Sequence, residues 1–349
     1  VSTEHPIFLF HVSSHIAVVN SYVLEMRHLT RNTKQPPGGE IEMDPETGEP
    51  TGVLKEFPAW LPIILMAVDR TPEENRAAIR YMSDFYASRG VTTAQTGSDD
   101  PPTVAKLLDA EASGDLRIRV NVSINASPGI DLLLAGQFDP KVDSKMVRVA
   151  NMKLFADGSI QAYTAYLTEP YYVPPADDPA YGGYPSMTRE KLADYVIKCR
   201  QAGMQVHIHA NGDAAIDNIL YAFEEAQKAY PSDDPRFVCI HCQTAREDQL
   251  DKMKEIGVIP SFFILHTYYW GDRHQGIFLG SERAARISPC RSAVDRGMPF
   301  TLHCDTPVVP MDPLFLVWSA VNRVTSGGEV LGPAQRIEPP GGNPQRRLA

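Results

Sequence analysis

From residue 71 onward the apolar positions switch repeatedly between a helical spacing and short, nearly continuous runs, a regularity that predicts parallel β/α units. Thr71, Pro72 and Glu74 make a helix start: Thr71 as N-cap, proline in the first turn, and Glu74 three residues on to close a capping box. That helix is expected to reach about Ser88, with Gly90 as its stop, ahead of a short buried strand over 91–94. A helix over 103–112, a strand over 116–124 and a strand over 147–156 carrying Lys153 come next. Thr188 opens a further helix that ends near Gly203. Strands over 204–209, 237–241 and 258–264 then alternate with helices over 213–228 and 246–256. Helical turns over 281–297, interrupted at Pro289, precede a last strand over 300–305. Seven strands are expected in all.

Outside this body the pattern is weaker. Pro, Gly and acidic residues crowd 35–51, which predicts turns or a surface hairpin. The end of the chain, 338–349, is rich in Pro, Gly and Arg with no apolar period and is expected to be disordered. No internal repeat is visible.

Composition sharpens the class. Of 349 residues, 43% are hydrophobic and 22% charged, which excludes a disordered or fibrous chain. The net charge of -10, with no basic run of five, argues against nucleic acid or an anionic membrane as partner. No stretch approaches the roughly 18 consecutive apolar residues of a membrane span. Residues 1–10 lack a basic region followed by an apolar run, and the five cysteines are scattered, so reduced thiols and a cytoplasmic setting are expected. Cys239 and Cys242 form a C-x-x-C without a second pair, so structural zinc is not expected there.

Seven strands alternating with helices fit either a doubly wound sheet or a barrel. A nucleotide-binding sheet would carry G-x-G-x-x-G after its first strand, and none is present. Lys153, His209, His241 and Asp305 instead stand at or near the carboxyl ends of predicted strands, where a (β/α)8 barrel builds its site. Imidazoles and carboxylates converging there are the ligands zinc, iron or manganese prefer.

Those residues lie in segments that resemble the amidohydrolase superfamily: 152–159 (Met-Lys-Leu-Phe-Ala-Asp-Gly-Ser), 206–215 (Val-His-Ile-His-Ala-Asn-Gly-Asp-Ala-Ala), 240–243 (Ile-His-Cys-Gln) and 303–307 (His-Cys-Asp-Thr-Pro). With 15–21 (His-Ile-Ala-Val-Val-Asn-Ser) and 266–274 (His-Thr-Tyr-Tyr-Trp-Gly-Asp-Arg-His), they are similar to its family-3 branch, which includes N-substituted formamide deformylases and proteins labelled exoenzyme regulators.

The resemblance implies a TIM-like (β/α)8 metal-dependent hydrolase barrel binding one or two divalent metal ions, zinc foremost. Lys153, carboxylated by carbon dioxide, matches the strand-4 bridging ligand, His209 the strand-5 ligand, His241 the strand-6 ligand and Asp305 the strand-8 residue. Metal-activated water would attack the carbonyl while Asp305, the catalytic residue, takes its proton and passes one to the leaving nitrogen. His266 would help stabilise the oxyanion. His15, Asn20, Asp157, His266, Trp270 and Asp272 are candidate substrate contacts.

The implied organisation is an insertion between barrel strands 1 and 2 covering the site (1–70), the barrel body (71–325) and an irregular tail (326–349). No His-x-His precedes the first predicted strand, and the chain begins without Met. Strand 1 with its two ligands and the accessory β-sandwich are therefore expected to be missing, as in a fragment or a truncated reading frame. The implied substrate is a small molecule with a non-peptide amide C–N bond, of the N-substituted amide or formamide class, and a homodimer is compatible with this reading. The alternatives are a catalytically inactive barrel with a binding or regulatory role, and a hydrolase of esters or phosphotriesters. Local alternatives also stand. Lys153 could be a strand-end lysine paired with Asp157, His207 shares a face with His209, Asp157 and Asp213 could be turn or cap residues, and Tyr268, Tyr269 and Trp270 could line a pocket or pack a loop.

Overall fold

The part of the chain before the β/α body holds a sheet larger than the turns or hairpin expected over 35–51. In the computed structural model, which describes residues 2–12, 14–64, 70–175 and 178–339, this is a four-stranded antiparallel sheet of order β1-β2-β4-β3. Its strands are β1 (Phe8–Phe10), β2 (Ile16–Val19), β3 (Glu40–Met43) and β4 (Pro50–Lys55). The predicted hairpin is the β3–β4 pair, joined through the Asp-Pro-Glu-Thr-Gly turn. Gly52 is required within β4, because its φ is 95° and a Cβ there would strike the Val19 carbonyl oxygen. One face of this sheet buries Ala17, Val19, Ile41 and Leu54 against Trp60 and Ile63 of the helix Phe57–Ile64.

The body is a parallel sheet of seven strands, the number the periodicity predicts. They are β5 (Thr93–Gln95), β6 (Arg119–Asn125), β7 (Val147–Phe155), β8 (Gln205–Ala210), β9 (Phe237–His241), β10 (Val258–Phe262) and β11 (Thr301–Leu302), neighbouring one another in chain order. The helix Pro72–Ser88 leads into β5, and helices Pro101–Ala112, Arg189–Gln201, Asp213–Ala229 and Glu247–Ile256 lie between successive strands, so the sheet is built from β/α units. The capping box is present: Thr71 Oγ1 accepts from Glu74 N and Glu74 Oε2 accepts from Thr71 N. Between sheet and helices a continuous core runs from Val104 to Ile337. The sheet curls, since Gln95 Nε2 on β5 lies 3.3 Å from His207 Nδ1 on β8, three strands away. Among the described residues β5 and β11 are edge strands with no pairing between them. This is a TIM-like α/β architecture.

Several boundaries differ from the sequence reading, each for a local reason. The first strand starts at Thr93 rather than Val91, because Val91 N still donates to Tyr86 O of the preceding helix. The last strand does not reach Asp305. After Leu302 only His303 N keeps the ladder, donating to Phe262 O, and Asp305 has φ of 52°, which no strand accommodates. Helices Phe57–Ile64 and Pro313–Asn322 go unmarked in the sequence because runs such as Phe-Pro-Ala-Trp-Leu-Pro-Ile-Ile are apolar throughout and carry no period. The expected disordered end falls almost entirely on 340–349, outside the described residues. No helix among the described residues is long and apolar enough to cross a membrane.

Candidate active site

Four imidazoles form a row across the carboxyl ends of the parallel strands. His15 lies 5.4 Å from His209, His209 4.4 Å from His241 and His241 5.0 Å from His303, measured between ring centroids. His209 comes from β8, His241 from the last position of β9, His303 from just beyond β11, and His15 from the residue before β2. The amino-terminal sheet therefore meets the mouth of the parallel sheet. The backbone is bent to achieve this: φ is 69° at His241, 65° at Glu56 and 52° at Asp305. Left-handed non-glycine residues cost on the order of 1–3 kcal/mol each and cluster at functional sites.

Lys153 on β7 is 4% exposed, and among the described residues no carboxylate lies within 4.0 Å of its Nζ. Its Nζ lies over the ring of Phe155, 5.0 Å from the centroid. Burial pulls the amine down to about 8, against the opposing charge of Asp305. The lysine thus stands without the Asp157 pairing that the sequence left open. Burial likewise pushes His209 and His241 well below the usual imidazole value, and His303 to about 4. His15 moves the other way: burial would lower it, but the charge and hydrogen bond of Glu56 raise it. Asp305 is solvent-exposed.

The remaining predicted residues divide by what their polar atoms do. Asp157 accepts from three backbone N–H groups, of Asn211 and Gly212 at 2.9 and 2.7 Å and of Tyr166 at 3.0 Å, so it knits the ends of β7 and β8 together. Burial raises its carboxyl to about 7 in spite of these donors. Asn20 caps the helix Ser21–Met26, accepts from Ile7 N and donates to the carbonyls of Ser2 and His5. Asp272 holds Thr325 Oγ1 at 2.6 Å and Gly327 N at 3.0 Å. His266 and Trp270 pack on each other at 4.8 Å and both against Phe263. His207 is buried beside Gln95 with Nε2 unpartnered. Asp213 opens the helix Asp213–Ala229 without capping it, and its carboxylate accepts from Thr168 N and Arg246.

Four residues of this region carry no role in the sequence reading: Glu56, Gln161, His274 and His303. His303 sits inside the His-Cys-Asp segment and His274 closes the His266 segment, so both were within reach. Glu56 and Gln161 have no marker, because a polar residue after an apolar strand is ordinary and only the tertiary fold brings these two to the mouth.

The donor types suit a divalent metal ion: imidazoles kept neutral by burial, a buried amine able to form a carbamate, and a nearby carboxylate. Their nitrogens are turned to protein partners, however. His209 Nε2 donates to Gly158 O at 3.0 Å, His241 Nδ1 lies 3.1 Å from His303 Nε2, and His303 Nδ1 lies 2.9 Å from Ser261 Oγ. Among the described residues no three His, Cys, Asp or Glu side chains are grouped as a ready ligand set.

Comparison with known proteins bears on the family and the fold. The chain is 29% identical to the Arabidopsis thaliana protein LONG AFTER FAR-RED 3 over 93% of its own length and 56% of the relative's. It is 25% identical to the N-substituted formamide deformylase of Arthrobacter pascens, over 97% of its own length and 62% of the relative's. A crystal structure of an uncharacterized metal-dependent hydrolase from Pyrococcus horikoshii superposes with a TM-score of 0.73 at 28% identity, covering 96% of this chain and 64% of that one. The chain thus spans somewhat over half the length of the curated relatives it matches. The amidohydrolase family profile matches residues 1–340, and the chain belongs to that family.

Proposed function

We propose that this chain carries the site of a metal-dependent hydrolase that cleaves a non-peptide amide C–N bond of a small molecule, of the N-substituted amide or formamide class. The observation that carries the reading is Lys153, a buried amine lowered to about 8 and lacking a carboxylate partner among the described residues, in a site with the imidazoles of His209, His241 and His303, which burial keeps neutral. A structural lysine is normally paired or exposed, whereas a neutral one is the form that reacts with carbon dioxide. Lys153, His209, His241 and Asp305 would hold one or two divalent ions, zinc foremost, with Lys153 carboxylated. When bound, such an ion supplies Lewis-acid polarisation of the carbonyl and acidifies water. The protein's own contribution is then proton transfer by the exposed Asp305 carboxylate and donation to the oxyanion by His266, with His15 and Trp270 bordering the substrate.

A second reading, a barrel with a binding or regulatory role, is favoured by the absence of a grouped ligand set among the described residues. Metal content after purification, together with turnover of a panel of N-substituted amides, esters and phosphotriesters, separates the two. Stoichiometric metal with amide turnover supports the hydrolase. Neither metal nor turnover of any substrate overturns it, and turnover confined to esters or phosphotriesters overturns the amide assignment.

A further inference from the structure

Beyond the imidazole row, behind the ring of Phe263, three nitrogens meet. Gln161 Nε2 lies 3.1 Å from His266 Nδ1 and 3.4 Å from His274 Nε2, and the two ring nitrogens are 3.2 Å apart. The imidazoles stack with an interplanar angle of 14°. His266 begins the helix His266–Arg273, His274 opens the π-helical turn His274–Phe278, and Gln161 sits on the one-turn 3-10 helix Ile160–Ala162. π-turns are rare and recur at functional sites. Phe263 and Trp270 pack on His266, and Phe278 packs on His274.

With the Gln161 amide nitrogen toward the histidines, proton counting fixes the arrangement. A neutral imidazole has one N–H and one acceptor nitrogen, and an amide nitrogen only donates. Burial keeps both histidines neutral. His266 Nδ1, facing the Gln161 amide, is therefore an acceptor, and the His266 proton resides on Nε2. His274 adds a second donor to the same Nδ1 when its own proton is on Nε2. That leaves His274 Nδ1, buried without a partner, as a bare acceptor, which costs less than a stranded N–H. His266 Nε2 itself makes no hydrogen bond among the described residues and is not one of the sealed, unpartnered atoms, so it is free to donate to a bound group.

We propose that Gln161 and His274 are positioning residues that lock His266 in its Nε2–H tautomer, so that Nε2 presents a proton to the oxygen of a bound carbonyl substrate. The acceptor's identity rests on the hydrolase reading; the tautomer does not. The lock pairs the Gln161 amide with His266, more than 100 positions away in the chain, while the 3.4 Å approach of the same amide to His274 Nε2, donor to donor in this arrangement, is not a hydrogen bond.

Long-range nitrogen–proton correlation spectra of the histidine-labelled chain read the tautomer directly, with His266 identified by the signal lost in His266→Asn. The expected result is an Nε2–H tautomer in the wild type. In Gln161→Glu, which replaces the donor by an acceptor, the proton should move onto Nδ1, and in Gln161→Met both tautomers should appear. Gln161 is only partly buried, and thermal melting verifies that each variant is folded; Gln161→Met alone decides the question should the glutamate variant not fold. If amide turnover is found, Gln161→Glu should lower kcat on the order of 100-fold with KM little changed. An Nδ1–H signal in the wild type, or an unaltered Nε2–H signal in the Gln161 variants, overturns the lock. A chain without turnover whose His266 signal behaves as expected keeps the lock and removes the hydrolase reading instead.

Discussion

His15 Nδ1 lies 2.8 Å from Glu56 Oε2, and this contact is dictated by strand register. Ile16 of β2 is opposite Lys55 of β4, so His15 and Glu56 are the next pair along the ladder, and Glu56 N donates to His15 O at 2.8 Å. The other Glu56 oxygen accepts from Thr164 Oγ1, which ties the amino-terminal sheet to the loop after β7. A surface hairpin would have no such anchor.

Gly158 lies beneath that anchor, where an added Cβ would collide with both Thr164 Oγ1 and Glu56 Oε1. Gly158→Ala should therefore destabilise the chain by about 2 kcal/mol through overpacking and detach Glu56 from its loop. Urea unfolding measures this; a midpoint equal to that of the wild type would contradict the contact.

Lys153→Met should abolish metal retention and turnover while leaving the metal-free chain as stable as the wild type or more so, because an unpaired buried amine is replaced by an apolar chain of similar length. The pH dependence follows from the amine's shift from 10.5 to about 8. Between those values the unfolded chain holds a proton that the folded chain has lost, so stability rises with pH there, and the penalty is fully present below about pH 8. It amounts to about 3 kcal/mol. Metal-free wild type should thus gain on Lys153→Met between pH 8 and 10.5. A constant difference across that interval would show that the amine is not desolvated.

Asp305→Asn should retain the fold and lower kcat for the amide substrate on the order of 100-fold or more, since an amide cannot take up the proton of water. Steady-state kinetics on the substrate identified by the panel tests this, and an unchanged kcat would remove Asp305 from proton transfer.

Arg323 is fully buried, and among the described residues its guanidinium donates only to backbone carbonyls, of Leu331 at 2.8 Å, Ile287 at 2.9 Å and Ser288 at 3.3 Å. Burial lowers its pKa to about 10. Arg323→Met strands three carbonyls and should cost about 3 kcal/mol in unfolding free energy, with turnover per folded molecule unaltered. Arg323→Lys should recover little of the loss, because a single ammonium cannot reach three diverging carbonyls. Denaturant titration alongside kinetics checks both.

The sequence by itself determined the repeating unit of the body and the residues at its strand ends. Helical and strand periods are local, and so are a Thr-Pro-Glu-Glu start and a Gly stop, which is why seven strands and the capping at Thr71 can be read directly. His209 and His241 could be placed near strand ends because each follows an apolar run, whereas Lys153 lies within one. The tertiary structure alone decided the rest. It folded the Pro- and Gly-rich front of the chain into a sheet by burying Ala17 and Leu54, and brought His15 across to His209. It committed Asp157, Asn20 and Asp272 to backbone contacts. It also joined Gln161 to His266 and His274 across more than 100 residues of chain. Such pairings are set by register, curl and the geometry of strand ends, and no window of sequence contains both partners.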